Sequence, residues 1–404
     1  MPAREYHRLN THPFLQRRNK LKITDVKVFE THGEHGNWLF VKLYTNTGLT
    51  GVGESSMERH HKEIVAALEA MKKFLIGKDP FQIEYIWNSL YKQTFWYGQL
   101  ITLCALSGIE QALWDIKGKE LGVPVYELLG GKVRDQIRAY ANAWAFQQSI
   151  TEHRTDDTPE AIAKAAVKTV AAGFTGIKWD PFRFGGQVIS KEEEKFAIAS
   201  VRAVREAVGP DVDLMIECHG RFNMWSAIRM AHKLEPFDPF FYEEPIPPDN
   251  IDAMAEVQRS INLPVATGER LYTRWEFRAL LEKQAARIIQ PDICHAGGIL
   301  ELKKIAAMAE TYYVSVQPHN SNGPIGTVAS LHVDASIPNC IIQEFFYPYL
   351  DHYNEILTEP IECVDGYLKI PDRPGLGTDI NEEAILKRPP IETPQEASWM
   401  GSYW

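Results

Sequence analysis

Between residues 23 and 53 apolar and polar side chains alternate. Ile23 to Phe29 and Trp38 to Thr45 carry the two-residue period of a half-buried strand, and Thr47-Gly48 marks a turn before a third run, Leu49 to Gly53. The pattern predicts a small antiparallel meander. From Lys62 to Gly122 the period lengthens to that of a helix: Ile64, Leu68, Met71 and Leu75, then Ile86 and Leu90, then Ala105, Ile109, Ala112, Leu113 and Ile116. Three helices therefore follow three strands. Leu128 to Asp135 carries two glycines and then charges, and it reads as a hinge into a second domain.

Beyond the hinge, short apolar runs recur with helix-period segments between them. The runs are Thr175 to Lys178, Val212 to Glu217, Phe240 to Glu243, Val265 to Glu269, Arg287 to Asp292, Val314 to His319 and Ile341 to Glu344. Continuous apolar strands separated by amphipathic helices such as Ser226 to Leu234 and Leu300 to Tyr312 imply parallel pairing with both sheet faces covered. Seven or eight such units favour a (β/α)8-type barrel over an open sheet. The predicted fold class is α/β: an α+β capping domain over residues 1–135, a barrel over 136–370, and a proline-rich segment over 371–404 that packs back on the cap.

With 404 residues, 45% of them hydrophobic, the chain can bury a large core. Its 43 Lys and Arg against 53 Asp and Glu leave a net charge of −10, which argues against a nucleic-acid partner. Five widely spaced cysteines with no CxxC pair indicate neither a disulfide framework nor a zinc ribbon. The polar, basic stretch Met1 to Lys22 lacks the apolar core of a signal peptide, and no later run approaches the ~20 apolar residues that span a bilayer. We therefore expect no membrane association and a cytoplasmic location.

Each apolar run ends on a residue able to act as acid, base or ligand: Lys178, Glu217, Glu243, Glu269, Asp292, His319 and Glu344. A strand, its loop, a helix and the return take roughly 25 residues, so these side chains fall at one level, on the face where barrel strands end. One strand-end charge is usually solvated. Seven in phase converge on a cavity, and such groups are almost never buried unless paired or metal-bound. Glu217, Glu243 and Glu269 offer hard oxygen ligands without Cys or paired His, which points to Mg²⁺ rather than Zn²⁺. Glu244, adjacent to Glu243, faces the other side of its strand and is assigned to the outside or to a structural pair. Asp292 and His319 end adjacent strands, where a carboxylate can orient an imidazole and raise its basicity. Lys178 stands across the cavity as a base, an electrophile or a counter-ion. His219 shares the face of Glu217 if the strand continues, and it is a candidate general acid.

The residues around these positions are Lys178-Trp179-Asp180, Ile216-Glu217-Cys218-His219-Gly220-Arg221, Tyr242-Glu243-Glu244-Pro245, Thr267-Gly268-Glu269-Arg270, Gln290-Pro291-Asp292 with Gly297-Gly298, and Pro318-His319-Asn320. Together with Gln111-Ala112-Leu113-Trp114-Asp115, Leu129-Gly130-Gly131 and Pro374-Gly375-Leu376-Gly377, they resemble the mandelate racemase subgroup of the enolase superfamily over nearly the whole chain. Within it, residues 178–182 and 217–223 look most like sugar-acid dehydratases of the D-gluconate and D-galactonate kind. Two departures stand out. Glu217 occupies a ligand position that is usually Asp, and Asp180 stands where racemases of this group carry a second lysine, which disfavours two-base racemisation.

The resemblance implies removal of the proton alpha to a carboxylate, with Mg²⁺ stabilising the dianion. His319, held by Asp292, would take the C2 proton, and His219 would protonate the departing C3 hydroxyl to give a 2-keto-3-deoxy acid. Glu344, protonated or bridged by water, would bond a substrate carboxylate oxygen beside Lys178. Asp180 and Arg270 are carried over as substrate contacts. Polyol specificity is expected from cap loops at His32 to Trp38, Glu58 to His61 and Phe95 to Tyr97, Trp96 among them, and from Asn142 and Trp144. A homo-oligomer is expected. Rival readings are an epimerase or racemase of a hydroxy acid, a non-catalytic sugar-acid-binding homologue, and an aldolase using Lys178 as a Schiff base.

Overall fold

Three antiparallel strands, β1 (Ile23–Gly33), β2 (Gly36–Thr45) and β3 (Thr50–Glu54), form the N-terminal meander in order β1-β2-β3. The coordinates are those of a computed structural model that describes residues 21–33, 36–92, 99–145, 158–182 and 186–392. Four helices follow: α1 (His61–Leu75), α2 (Ile83–Tyr91), α3 (Leu100–Leu121) and the short α4 (Val125–Leu128). The sequence expectation of three strands and then three long helices holds. Helix α3 is buried almost all round, as a helix wedged between a sheet and a second domain must be. It lies close on β3 because Gly53 has no side chain; a Cβ there would run into the backbone of Gly108.

The second domain is a closed parallel barrel. Its strands are β4 (Gln136–Ala141), β5 (Gly176–Trp179), β6 (Asp213–Glu217), β7 (Phe241–Glu243), β8 (Val265–Thr267), β9 (Ile288–Ile289), β10 (Ser315–Val316) and β11 (Gln343–Phe345), which pair in chain order. Parallel pairing of β11 with β4 and a bridge from Val316 to Cys340 close the ring. The crossovers are α5 (Pro159–Ala171), α6 (Lys191–Val208), α7 (Met224–Leu234), α8 (Ile251–Ser260), α9 (Thr273–Glu282), α10 (Ile299–Thr311) and α11 (Pro324–Ser336). The first strand, β4, is absent from the run of seven read in the sequence, because it directly follows the glycine hinge. The observed strands over 287–292 and 314–319 are also shorter than those runs, so Asp292 and His319 sit in loops just beyond them.

After α12 (Leu350–Glu355), a hairpin of β12 (Cys363–Val364) and β13 (Tyr367–Lys369) adds to β4, and α13 (Glu382–Leu386) follows. The chain then lies against the meander. Thr31 Oγ1 donates to the Arg388 carbonyl at 2.7 Å, and Lys42 Nζ pairs with Glu382 at 3.0 Å.

Candidate active site

Inside the barrel, Tyr140, Met215, Phe241, Ala266, Ile288 and Ile342 form a small apolar cluster of their own. Side chains alternate along a strand, so the residue two positions further on points the same way, one layer nearer the strand ends. From β4, β6, β7, β9 and the lead-in to β11 those residues are Asn142, Glu217, Glu243, Gln290 and Glu344. An apolar floor thus carries a polar layer. On β8 the same step lands on Gly268, whose φ of +142° turns the chain and brings the next residue, Glu269, into the group. A side chain at 268 would meet the Gln290 backbone nitrogen and the Phe277 ring.

Ligand atoms of Glu217, Glu243 and Glu269 all lie within 4.8 Å of one another. Lys178 Nζ reaches Glu243 Oε1 at 2.6 Å, Glu344 Oε1 at 2.8 Å and Glu217 Oε2 at 3.3 Å. Burial alone would lower the lysine pKa, but Glu243 and Glu344 outweigh it and push it well above its usual value. Lys178 is therefore an ammonium and a counter-ion here, and an amine held in that state makes a poor Schiff-base nucleophile. Burial and the Glu217 charge push the Glu243 carboxyl well up, and Glu243 Oε2 is buried without a hydrogen-bond partner. Clustered carboxylates with an orphaned oxygen are a donor set for a hard divalent cation such as Mg²⁺.

Two imidazoles flank this group, each with a carboxylate on Nδ1. His319 Nδ1 lies 2.7 Å from Asp292 Oδ2, and its Nε2 faces Glu269 Oε2 at 3.4 Å. Burial opposes the charged ring, yet Glu269, Glu344 and Asp292 together hold the His319 pKa well above the ordinary value. Asp292 is fully buried and accepts from Cys294 N at 2.7 Å and from Asn322 Nδ2 at 3.0 and 2.9 Å. His219 Nδ1 lies 2.9 Å from Asp180 Oδ2. Burial again opposes, but Glu217 and Asp180 raise its pKa. Contrary to the extended-strand reading, β6 ends at Glu217 and His219 takes a left-handed φ of 52°. Its N–H donates to Glu217 Oε1 at 2.6 Å, which helps to hold a conformation costing a non-glycine residue about 1–2 kcal/mol.

The remaining sequence-picked residues fall into two groups. Glu344 accepts from Asn142 Nδ2 at 2.7 Å and from Asn320 N at 2.8 Å. Lys178 and His319 overcome burial and lower its pKa, which disfavours a protonated Glu344 and leaves the water-bridged alternative. Trp144 Nε1 donates to the Lys178 carbonyl at 2.8 Å, bracing the lysine from behind. Asp180 is engaged by His219, by Arg221 and by the Phe182 N–H, so it orients an imidazole. Arg270 pairs with the buried Glu244 at 2.5 Å, which makes Glu244 half of a structural pair. His61 is buried against Glu30 in the cap and His60 is exposed beside Glu63. Trp96, with Phe95 and Tyr97, lies outside the described residues, as do residues 34 and 35.

Sequence reasoning missed Asn322, His295, Arg221 and the Asn320 backbone. His295 Nδ1 lies 3.6 Å from Asp292 and its Nε2 is 3.1 Å from the Ser56 carbonyl of the cap. The one available signal was position: all four lie within three places of Asp292, His219 or His319.

The family model described as enolase C-terminal domain-like matches residues 161–384, and that of the mandelate racemase/muconate lactonizing enzyme N-terminal domain matches residues 19–130. D-galactonate dehydratase of Xanthomonas euvesicatoria pv. vesicatoria is 39% identical over 380 residues, covering 91% of this chain and 94% of its own. D-galactonate dehydratase of Pectobacterium atrosepticum is 36% identical over 392 residues, covering 95% and 97%. Among solved structures, a member of the enolase superfamily from Salmonella Typhimurium superposes with a TM-score of 0.86 at 36% identity, covering 92% of this chain and 99% of that one. A mandelate racemase/muconate lactonizing enzyme from Sulfitobacter sp. gives 0.85 at 35%, covering 92% and 96%.

Proposed function

The chain belongs to the mandelate racemase/muconate lactonizing enzyme family of the enolase superfamily, and on that premise we propose that it is a hydro-lyase for a sugar acid. The substrate is an aldonate such as D-galactonate or D-gluconate, and the product is the 2-keto-3-deoxy acid. One observation carries this reading: two histidines, each with its imidazole oriented by its own carboxylate, are tied to different members of the same three-glutamate group, His319 through its ring to Glu269 and His219 through its backbone N–H to Glu217. Loss of water needs both a base and an acid, whereas exchange of one proton needs no second acid.

Glu217, Glu243 and Glu269 are the residues that would hold Mg²⁺, which when bound supplies charge stabilisation for the dianion formed as C2 loses its proton. His319, in its neutral form, accepts that proton on Nε2 while Asp292 keeps the Nδ1 proton and the ring plane fixed. Lys178, held in place by Glu243 and Glu344, supplies fixed positive charge to the carboxylate end of the substrate. His219, kept protonated beside Glu217 and Asp180, donates to the C3 hydroxyl, which leaves as water. The resulting enol tautomerises to the keto acid. Trp144 and the apolar floor exclude water from beneath these groups.

The test is incubation with Mg²⁺ and a panel of C5 and C6 aldonates and aldarates in D₂O, followed by NMR. A 2-keto-3-deoxy product from at least one acid supports the reading. Deuterium at C2 with inversion and no keto product supports the epimerase instead.

A further inference from the structure

Two barrel helices begin at glycines that offer no side chain to cap them. Helix α10 follows Gly298 and α11 follows Gly323. Both are capped from the other domain. Glu110 of α3 accepts from Ile299 N at 2.7 Å and Leu300 N at 3.0 Å, and Glu54 at the end of β3 accepts from Gly323 N at 2.5 Å and Gly326 N at 2.7 Å. The loops that lead into these two helices carry Asp292 and His319. Asn322, which grips both oxygens of Asp292, immediately precedes the glycine held by Glu54. Ser56 Oγ donates to Glu54 Oε1 at 2.5 Å, and the Ser56 carbonyl receives His295, whose other ring nitrogen faces Asp292. Gln111 completes the contact, its amide lying 3.3 Å from the Ile293 carbonyl.

We propose that the cap domain sets the geometry of the catalytic base: Glu54, through α11 and Asn322, and Ser56, through His295, are the supports that fix Asp292 and thereby aim His319. This rests on the reading of Asp292 and His319 as the base pair. Glu54 and His295 are positioning residues, since both act through Asp292. The cap thus does more than line the substrate cavity, because the barrel's base pair is incomplete without it. Space is tight enough to transmit the effect: a Cβ at 326 would meet Cys294 Sγ at 2.8 Å and Asn322 Cβ at 3.1 Å.

A double-mutant cycle on the full chain with Mg²⁺ and the accepted sugar acid tests it. Glu54→Gln removes one acceptor from α11 while keeping the side-chain shape, and kcat is expected to fall roughly 10- to 100-fold with little change in KM, the scale of an ångström-level misplacement. In an Asp292→Asn background the same change is expected to cost less than about threefold, because the support no longer has a carboxylate to aim. Losses that simply multiply in the two backgrounds, or an unchanged kcat for Glu54→Gln, overturn the proposal. If Glu54→Gln does not fold, His295→Gln is run through the same cycle with the same criteria. An Asp292→Asn variant that keeps full turnover defeats the base assignment itself, a result distinct from multiplying losses.

Discussion

His319 Nδ1 and Asp292 Oδ2 are 2.7 Å apart, and because an ionised carboxylate can only accept, the Nδ1 proton is fixed and Nε2 is the atom turned toward Glu269. An asparagine at 292 can donate and so favours the wrong tautomer. We predict that Asp292→Asn lowers kcat by roughly 10³- to 10⁴-fold, the loss seen when a buried orienting aspartate is replaced this way, with KM changed only severalfold. Steady-state kinetics with far-UV circular dichroism as the folding control check this.

The carboxylates of Glu217, Glu243 and Glu269 repel one another and are only partly compensated by Lys178. A divalent cation binds the folded site alone, so Mg²⁺ should stabilise the fold by about 2.7 kcal/mol at a hundredfold excess over Kd, and the thermal midpoint should rise with the logarithm of its concentration. Chelation should reverse the rise, and Glu243→Gln should abolish it. A thermal melt series against Mg²⁺ concentration, with Ca²⁺ and Zn²⁺ alongside, measures this.

Ligation of Glu269 should also change the base. Burial lowers the His319 pKa, and Glu269 is the strongest of the groups that raise it well above the ordinary imidazole range. Neutralising that carboxylate removes attraction for the proton, so the His319 pKa should fall when Mg²⁺ is added. Imidazole ¹⁵N shifts followed against pH, with and without Mg²⁺, report the change. An unchanged or higher value with Mg²⁺ contradicts it.

Asp334 lies within the fully buried helix α11, with Cys340 Sγ 3.5 Å from Oδ1 and no hydrogen-bond partner for Oδ2. Burial pushes its pKa up to about 8 from the ordinary 3.8. The unfolded chain therefore releases this proton before the folded one does, and the stability the group contributes is present in full below pH 3.8 and lost as pH rises to about 8. Asp334→Asn cannot ionise. Its stability relative to the parent should therefore climb between pH 5 and pH 8, by a margin of roughly 1 kcal/mol or more. Paired melts at several pH values test the slope.

Legibility in the sequence followed the range of the interaction. The β/α repeat places Lys178, Glu217, Glu243 and Glu344 at strand ends by spacing alone, and Glu269, Asp292 and His319 lie close enough beyond their short strands to share the phase. Strand β4 was hidden because Gln136–Ala141 abuts a glycine-rich, charged hinge that masks where the strand begins. The motif at 178–180 identified Asp180 as a polar group in the cavity, but its partner His219 is 39 residues away on the next strand, so orienting an imidazole and contacting substrate could not be told apart. Glu54 was illegible for the same reason on a larger scale. It reads as the polar end of a cap strand, and the N–H groups it satisfies lie 269 and 272 residues downstream.

The division of labour between the two imidazoles is tested most directly by following C2 deuterium incorporation into the sugar acid in D₂O with Mg²⁺. His219→Asn should lose dehydration by about 10²- to 10⁴-fold, the usual contribution of a positioned acid, yet still exchange the C2 proton. His319→Asn should neither exchange nor dehydrate. Exchange that persists in His319→Asn and vanishes in His219→Asn would contradict the assignment.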